Sequence, residues 1–237
     1  MKLSHLASAL LASSMLFTAV SANAADPITI TGSTALTTDY LFRGISQTGN
    51  NAAIQGSLAF THESGAYFSL WGSSIGFTEG GLELDALLGY SGKAGEVGYD
   101  VGVMHYGYPS ADGALGYDEI YASVSTMGLK VGLNYSPDYF AATDKFVYLY
   151  AGYSKEVSGV TLSGSVGVNK FDSAAMLSSF LVAPVTDDSY MDYKLAASKS
   201  FSGLTLEGAY IGSDIDEKDC AGGLCEGRFV VTLTKGF

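Results

Sequence analysis

The stretch "VTLSGSVGVN" (Val160–Asn169) decides the fold. Val160, Leu162, Val166 and Val168 share one face, and Thr161, Ser163, Ser165 and Asn169 share the other. A period of two is the signature of a strand with one greasy and one wet side. "LELDALLGY" repeats it, with Leu82, Leu84, Ala86, Leu88 and Tyr90 opposite Glu83 and Asp85. "VGYDVGV" sets Val97, Tyr99, Val101 and Val103 against Asp100, and "LTLEGAY" sets Leu204, Leu206 and Tyr210 against Thr205 and Glu207. Two stretches fit less well. "AYFSLWGSSIGF" (66–77) is apolar on both faces, and "YMDYKLAASKS" (190–200) alternates weakly.

Working outward, about twelve such segments follow one another, at roughly 28–46, 52–63, 66–77, 81–91, 96–107, 116–126, 129–137, 144–156, 159–170, 189–200, 203–213 and 226–237. No stretch sustains a capped helical period. The connections alternate in length. Ser64-Gly65, "GKAGE" (92–96), Met127-Gly128, Ser158-Gly159 and Ser202-Gly203 are tight, glycine-bearing hairpin turns. Between them come "QTGNN", "TEGG", "PSADGALG", "PDYFAAT", "DSAAMLSSFLVAPVTDD" and "DIDEKDCAGGLCE". In an up-and-down barrel this rhythm puts turns on one rim and loops on the other, as in outer-membrane barrels. The expected fold is therefore all-β, an antiparallel up-and-down transmembrane β-barrel of twelve strands.

Composition bears on which face meets which solvent. Charged residues make up only 15% of the chain, against about a quarter in soluble domains. The net charge is −12, which leaves no electrostatic footprint for nucleic acid. Lys2, the apolar run Leu6–Val20 and "Ala22-Asn23-Ala24" read as a cleaved signal peptide over 1–24, leaving one barrel domain over 25–237. Export to an oxidising compartment makes a Cys220–Cys225 disulfide the expected state of the two cysteines. Export, low charge and loop asymmetry together favour lipid outside and water within.

The last segment, "GRFVVTLTKGF" (Gly227–Phe237), places Phe229, Val231, Leu233, Lys235 and Phe237 on one face. A closed barrel pairs its last strand with its first. The pattern also resembles the C-terminal β-signal of outer-membrane proteins, which implies recognition of Phe237 by the barrel-assembly machinery. Lys235 departs from it, because that position is commonly aromatic or apolar.

At the other end, Thr38, Asp39, Tyr40, Arg43, Gly44, Ser46 and Gln47 form a Ser/Thr-Asp-Tyr-x-x-Arg-Gly-x-Ser-Gln run. Gly65, Tyr67, Trp71, Gly72 and Ser73 follow as Gly-x-Tyr before Trp-Gly-Ser. Across Thr31–Ser74 the chain resembles the TorF family of porins, also known as Gcw_chp outer-membrane proteins of unknown function. The resemblance implies an outer-membrane barrel with a transport role, and it brings no catalytic residues.

The chemistry-bearing candidates are charges projecting into a lumen. They are the acids Asp39, Glu83, Asp85, Asp100, Glu119, Asp192 and Glu207, and the bases Arg43, Lys130, Lys194 and Arg228. An acidic lumen favours cations or neutral polar solutes in a porin passing small hydrophilic molecules by passive diffusion. In the alternative these charges cross-pair in a plugged structural or surface-interaction barrel, with Arg43 bridging a carboxylate and the 171–188 and disulfide loops as contacts. A barrel hydrolase would need a Ser–His pair built around His62 or His105 and an orienting group, and no Gly-x-Ser-x-Gly elbow occurs. No P-loop, dinucleotide or EF-hand motif is present, so no cofactor or metal is expected. "SDIDEKD", with Asp214, Asp216, Glu217 and Asp219, reads as a solvated acidic loop, with weak attraction of calcium as the alternative. Tyr40, Phe42, Tyr90, Tyr106, Tyr108, Tyr153 and Phe237 are expected in the interfacial girdles. Tyr148 and Tyr150 face inward with Phe146, as a sugar slide or as filling.

Overall fold

The structure, a computed structural model, describes residues 27–111 and 115–237. The signal-peptide expectation at 1–24 lies outside the described residues. The chain forms β1 (Ile28–Thr37), the short β2 (Leu41–Phe42) and β3 (Ile45–Ser46), β4 (Ala53–His62), β5 (Ala66–Ser74) and β6 (Leu82–Ala94). It continues through β7 (Val97–Gly107), β8 (Tyr117–Thr126), β9 (Leu129–Ser136), β10 (Phe146–Val157) and β11 (Val160–Phe171). A helix, α1 (Ala174–Leu181), precedes β12 (Ser189–Phe201), β13 (Leu204–Ser213) and β14 (Arg228–Gly236). All but β2 and β3 pair in sequence order into a closed, twelve-stranded antiparallel barrel.

The seam joins β1 to β14, from Ser33 opposite Gly236 to Thr37 opposite Thr232. One step further, the Gly32 N–H donates to the Phe237 carbonyl at 2.9 Å and the Phe237 N–H to Gly32 at 3.0 Å. The final residue is part of the wall. Closure matters because hydrocarbon offers an unpaired strand edge no hydrogen bonds.

Side-chain alternation has the sense expected of a wall in lipid. Leu162 and Val166 are 48% and 60% exposed on the outside, in a belt with Ile30, Leu36, Leu88, Val103, Ile120 and Leu195. Inside lie Ser73, Glu83, Asp85, Glu119, Asn134, Asn169 and Asp192, all buried. The poorly alternating β5 also resolves: Phe68 and Leu70 face out, while Trp71 points in and meets Tyr40 edge to face at 5.3 Å.

Three expectations need correction. The first strand does not run to 46. It stops at Thr37 and the chain folds into the lumen, because Arg43 (φ 49°) and Gly44 (φ 81°) adopt consecutive left-handed conformations that close a two-residue hairpin. The turn "GKAGE" is shorter than five residues, since Ala94 still pairs with Val97 around Gly95-Glu96. The long loop after β11 holds a helix. Ser173 caps α1 by accepting from the Met176 N–H, and Leu177 is buried against the barrel's aromatic filling.

Candidate functional site

The inserted segment runs from Thr38 to Asn51 and rises from the rim that carries the long loops. Its tip is pressed against β13, two strands from β1 around the barrel: a Cβ on Gly44 would sit 2.6 Å from the Gly212 carbonyl oxygen. Only glycine fits there, for space as well as for backbone angle. Asp39 fastens the base of the segment. One of its carboxylate oxygens accepts from Ser46 Oγ at 2.7 Å and Thr48 Oγ1 at 2.6 Å, and the other from Arg228 at 3.1 Å. The segment also bonds to neighbouring loops, with the Ser46 N–H donating to Leu224 and the Gly76 N–H to Gln47. Leu224 lies in the loop that the Cys220–Cys225 disulfide closes.

Arg43 reaches across the lumen to β8. Its two terminal nitrogens donate to Glu119 Oε1 at 2.8 Å and Oε2 at 2.9 Å, a planar two-point pairing. Both side chains are almost wholly buried, 4% and 0% exposed. Asn134 donates a further bond to Glu119 at 2.8 Å. The rings of Phe42, Tyr139, Phe146 and Tyr148 lie 4.5–5.7 Å from the guanidinium carbon.

Aromatic rings fill the space around this pair. Tyr139 stacks on Phe146 at 3.9 Å, Phe146 meets Phe171 at 5.0 Å, and Phe171 meets Phe180 of α1 at 5.1 Å. Tyr106 and Tyr117 stack at 4.4 Å. Tyr40, Tyr106 and Tyr108 are thus buried inside, and Phe42 lies on the inserted hairpin against Tyr106, so these four correct the girdle expectation. Strand parity explains two of them, since Tyr106 and Tyr108 share the inward phase of Asp100. Tyr90, Tyr153 and Phe237 do lie outside. Tyr148 and Tyr150 lie flat along the inner wall over Gly167 and Gly132, where a Cβ would come within 2.3 Å of their rings.

The other charges divide into paired and unpaired. Lys194 binds Glu207 at 2.7 Å. Asp100 accepts from Tyr67 at 2.6 Å, and Lys130 is buried within electrostatic reach of it. Asp192 accepts from Asn169 at 2.8 Å and Tyr148 at 3.2 Å. Glu83 accepts from Tyr108 at 3.0 Å, and Asp85, the next inward residue of β6, makes no ion pair among the described residues. All eleven candidates therefore turn inward, Asp39 and Arg43 on the inserted segment rather than the wall. A cavity of about 40 Å³, enough for ordered water, opens between Asp39, Tyr40, Gln55, Trp71, Lys194 and Glu207. Thr48, Asn134 and Tyr139 are partners that the sequence pattern did not single out; Thr48 and Tyr139 gave no signal, whereas Asn134 is a polar residue between the apolar Leu133 and Tyr135.

The ingredients of a hydrolase are scattered. His62 bonds Ser64 at 2.9 Å within a short turn, and His105 bonds Asp118 at 2.7 Å on the outer face near the other rim. Among the described residues neither pair has a third side chain in its hydrogen bonds. Among the described residues no group of three or more His, Cys, Asp or Glu side chains gathers as a metal site. In the acidic loop, Asp216 pairs with Lys218 at 3.1 Å in the open.

Several solved structures share this architecture. The KdgM porin superposes with a TM-score of 0.55 at 9% identity, covering 87% of this chain and 99% of that one. A protein from work titled as in-meso crystallization of membrane proteins gives 0.51 at 7% identity, covering 87% and 83%. The NanC porin gives 0.48 at 10% identity, covering 86% and 97%. At such identities the likeness concerns the fold. No curated protein matches the sequence. A family model described as "Bacterial protein of unknown function (Gcw_chp)" matches residues 21–237, and its description does not carry the TorF name.

Proposed function

This chain belongs to the Gcw_chp family, and we propose that it is an outer-membrane channel of porin type, with the loops outside and the tight turns facing the periplasm. It passes small hydrophilic solutes by passive diffusion, and cations or neutral polar molecules pass more readily than anions. One observation carries this reading: seven inward carboxylates face four inward cations, and three of those cations are already held by carboxylates. The field left over is negative, which attracts cations and repels anions. The fold shared with the KdgM porin fits a channel role. Among the described residues the His62 and His105 pairs stand apart, and the role proposed is transport.

The inserted Thr38–Asn51 segment is the constriction of this channel. Conductance is accordingly small, because solutes pass beside Arg43 and the aromatic filling rather than through an open bore. That same filling supports the second reading, a plugged barrel acting as a structural or surface-interaction protein. Planar-bilayer recordings under a potassium chloride gradient separate the two. The channel reading expects discrete current steps with a reversal potential on the cation side. An anion-side reversal potential refutes the selectivity, and silence from folded protein in every salt refutes the channel.

A further inference from the structure

Two carboxylates at the edge of the inserted segment face no protein cation. Glu83 and Asp85 occupy successive inward positions of β6 and are 2% and 6% exposed. Glu83 Oε1 has Tyr108, and the Gly107 N–H bears on Asp85. The remaining oxygens differ. Glu83 Oε2 and Asp85 Oδ1 are buried without a hydrogen-bond partner. Among the described residues, no Lys, Arg or His nitrogen pairs with either side chain within 4.0 Å, and the inward cations Arg43, Arg228 and Lys194 are committed to Glu119, Asp39 and Glu207. Buried charge of this kind persists only when a counter-charge accompanies it.

The donor set identifies the counter-charge. Two carboxylates and the hydroxyls of Tyr108 and Tyr40, the latter approaching Glu83 from the inserted segment, are all hard oxygen donors. No thiolate or imidazole is among them, so soft metals have nothing to prefer, whereas a hard divalent ion neutralises both carboxylates at once. We propose that Glu83 and Asp85, with Tyr108 and Tyr40, bind a hard divalent cation of the calcium or magnesium class. The bound ion ties the inserted segment to β6 through Tyr40. It goes beyond the channel reading and stands or falls separately, because a plugged barrel would use the same clamp.

The mature, detergent-refolded protein, stripped with chelator, provides the test. Calcium chloride is titrated in while thermal unfolding and the emission of Trp71 are followed; this is the sole tryptophan, in ring contact with Tyr40. The expected result is a saturable rise of several degrees in the midpoint with a parallel emission change, whether or not magnesium chloride reproduces it. Both responses vanish in Glu83→Gln/Asp85→Asn, which in chelator is at least as stable as the native chain. A midpoint indifferent to millimolar calcium overturns the proposal, as does an equal response in the double variant, which would assign it to surface acids such as Asp216. Should the double variant fail to refold, Glu83→Gln alone must raise the half-saturating calcium concentration at least tenfold; an unchanged value overturns the site.

Discussion

Arg43 and Glu119 stand 76 residues apart in the chain and meet in two parallel contacts at 2.8 and 2.9 Å inside the barrel. Breaking a buried pair from one side strands the other charge, which typically costs about 3–5 kcal/mol. Glu119→Gln is therefore expected to lower unfolding stability by that amount in urea titrations in micelles. Arg43→Met/Glu119→Gln should lose clearly less than the two single changes added together. Additive losses would mean that the two side chains are not coupled.

Gly44 sets the depth of the hairpin. Its φ of 81° and the Gly212 carbonyl 2.6 Å from any Cβ leave Gly44→Val no way to keep the present seat. The expected outcome is a retracted tip, read as a changed Trp71 emission and a larger unit conductance. Gly208→Ala, where a Cβ meets nothing within 4 Å, serves as the control. Emission and conductance like those of the control in Gly44→Val would show that the tip is not held as described.

Val166 lies near the middle of β11 and points outward. An arginine there faces acyl chains, and Val166→Arg is expected to cost about 2–4 kcal/mol of folding stability in liposomes. Ser163→Asn, on the wet face, should leave it unchanged. Equal effects at the two positions would contradict a wall with lipid on only one side.

Phe237 closes the seam through its backbone pair with Gly32. Removing it deletes two hydrogen bonds, about 1 kcal/mol each. If it also serves as the assembly signal, the yield of folded protein in cells should fall far more than refolding in vitro. Equal falls in both settings would leave the residue a purely structural role.

Much of this architecture was legible in the residues. Hairpin rhythm gave twelve strands, and parity set Glu83, Asp85, Asp100 and Glu207 on the face opposite their apolar neighbours. The inserted segment was not legible. "TDYLFRGIS" continues an extended, half-apolar pattern, and the left-handed turn falls on an arginine, a residue type that rarely signals one. Helix α1 has only two turns, yet it carried a weak signature in Ser173 ahead of the apolar Met176, Leu177, Phe180 and Leu181, with Pro184 beyond. Nearness to a strand end suggests the girdles for Tyr106 and Tyr108, although parity with Asp100 points them inward. Cross-lumen pairs such as Arg43 with Glu119 depend on closure, and no local pattern encodes them.

The central claim is that a channel in a lipid-embedded barrel is narrowed by the Arg43 hairpin. Single-channel current through the native chain, set beside a variant with residues 41–46 replaced by Gly-Ser repeats, tests it most directly. A several-fold larger conductance with cation preference retained is the result this account predicts. Equal conductance from two equally folded proteins would contradict it.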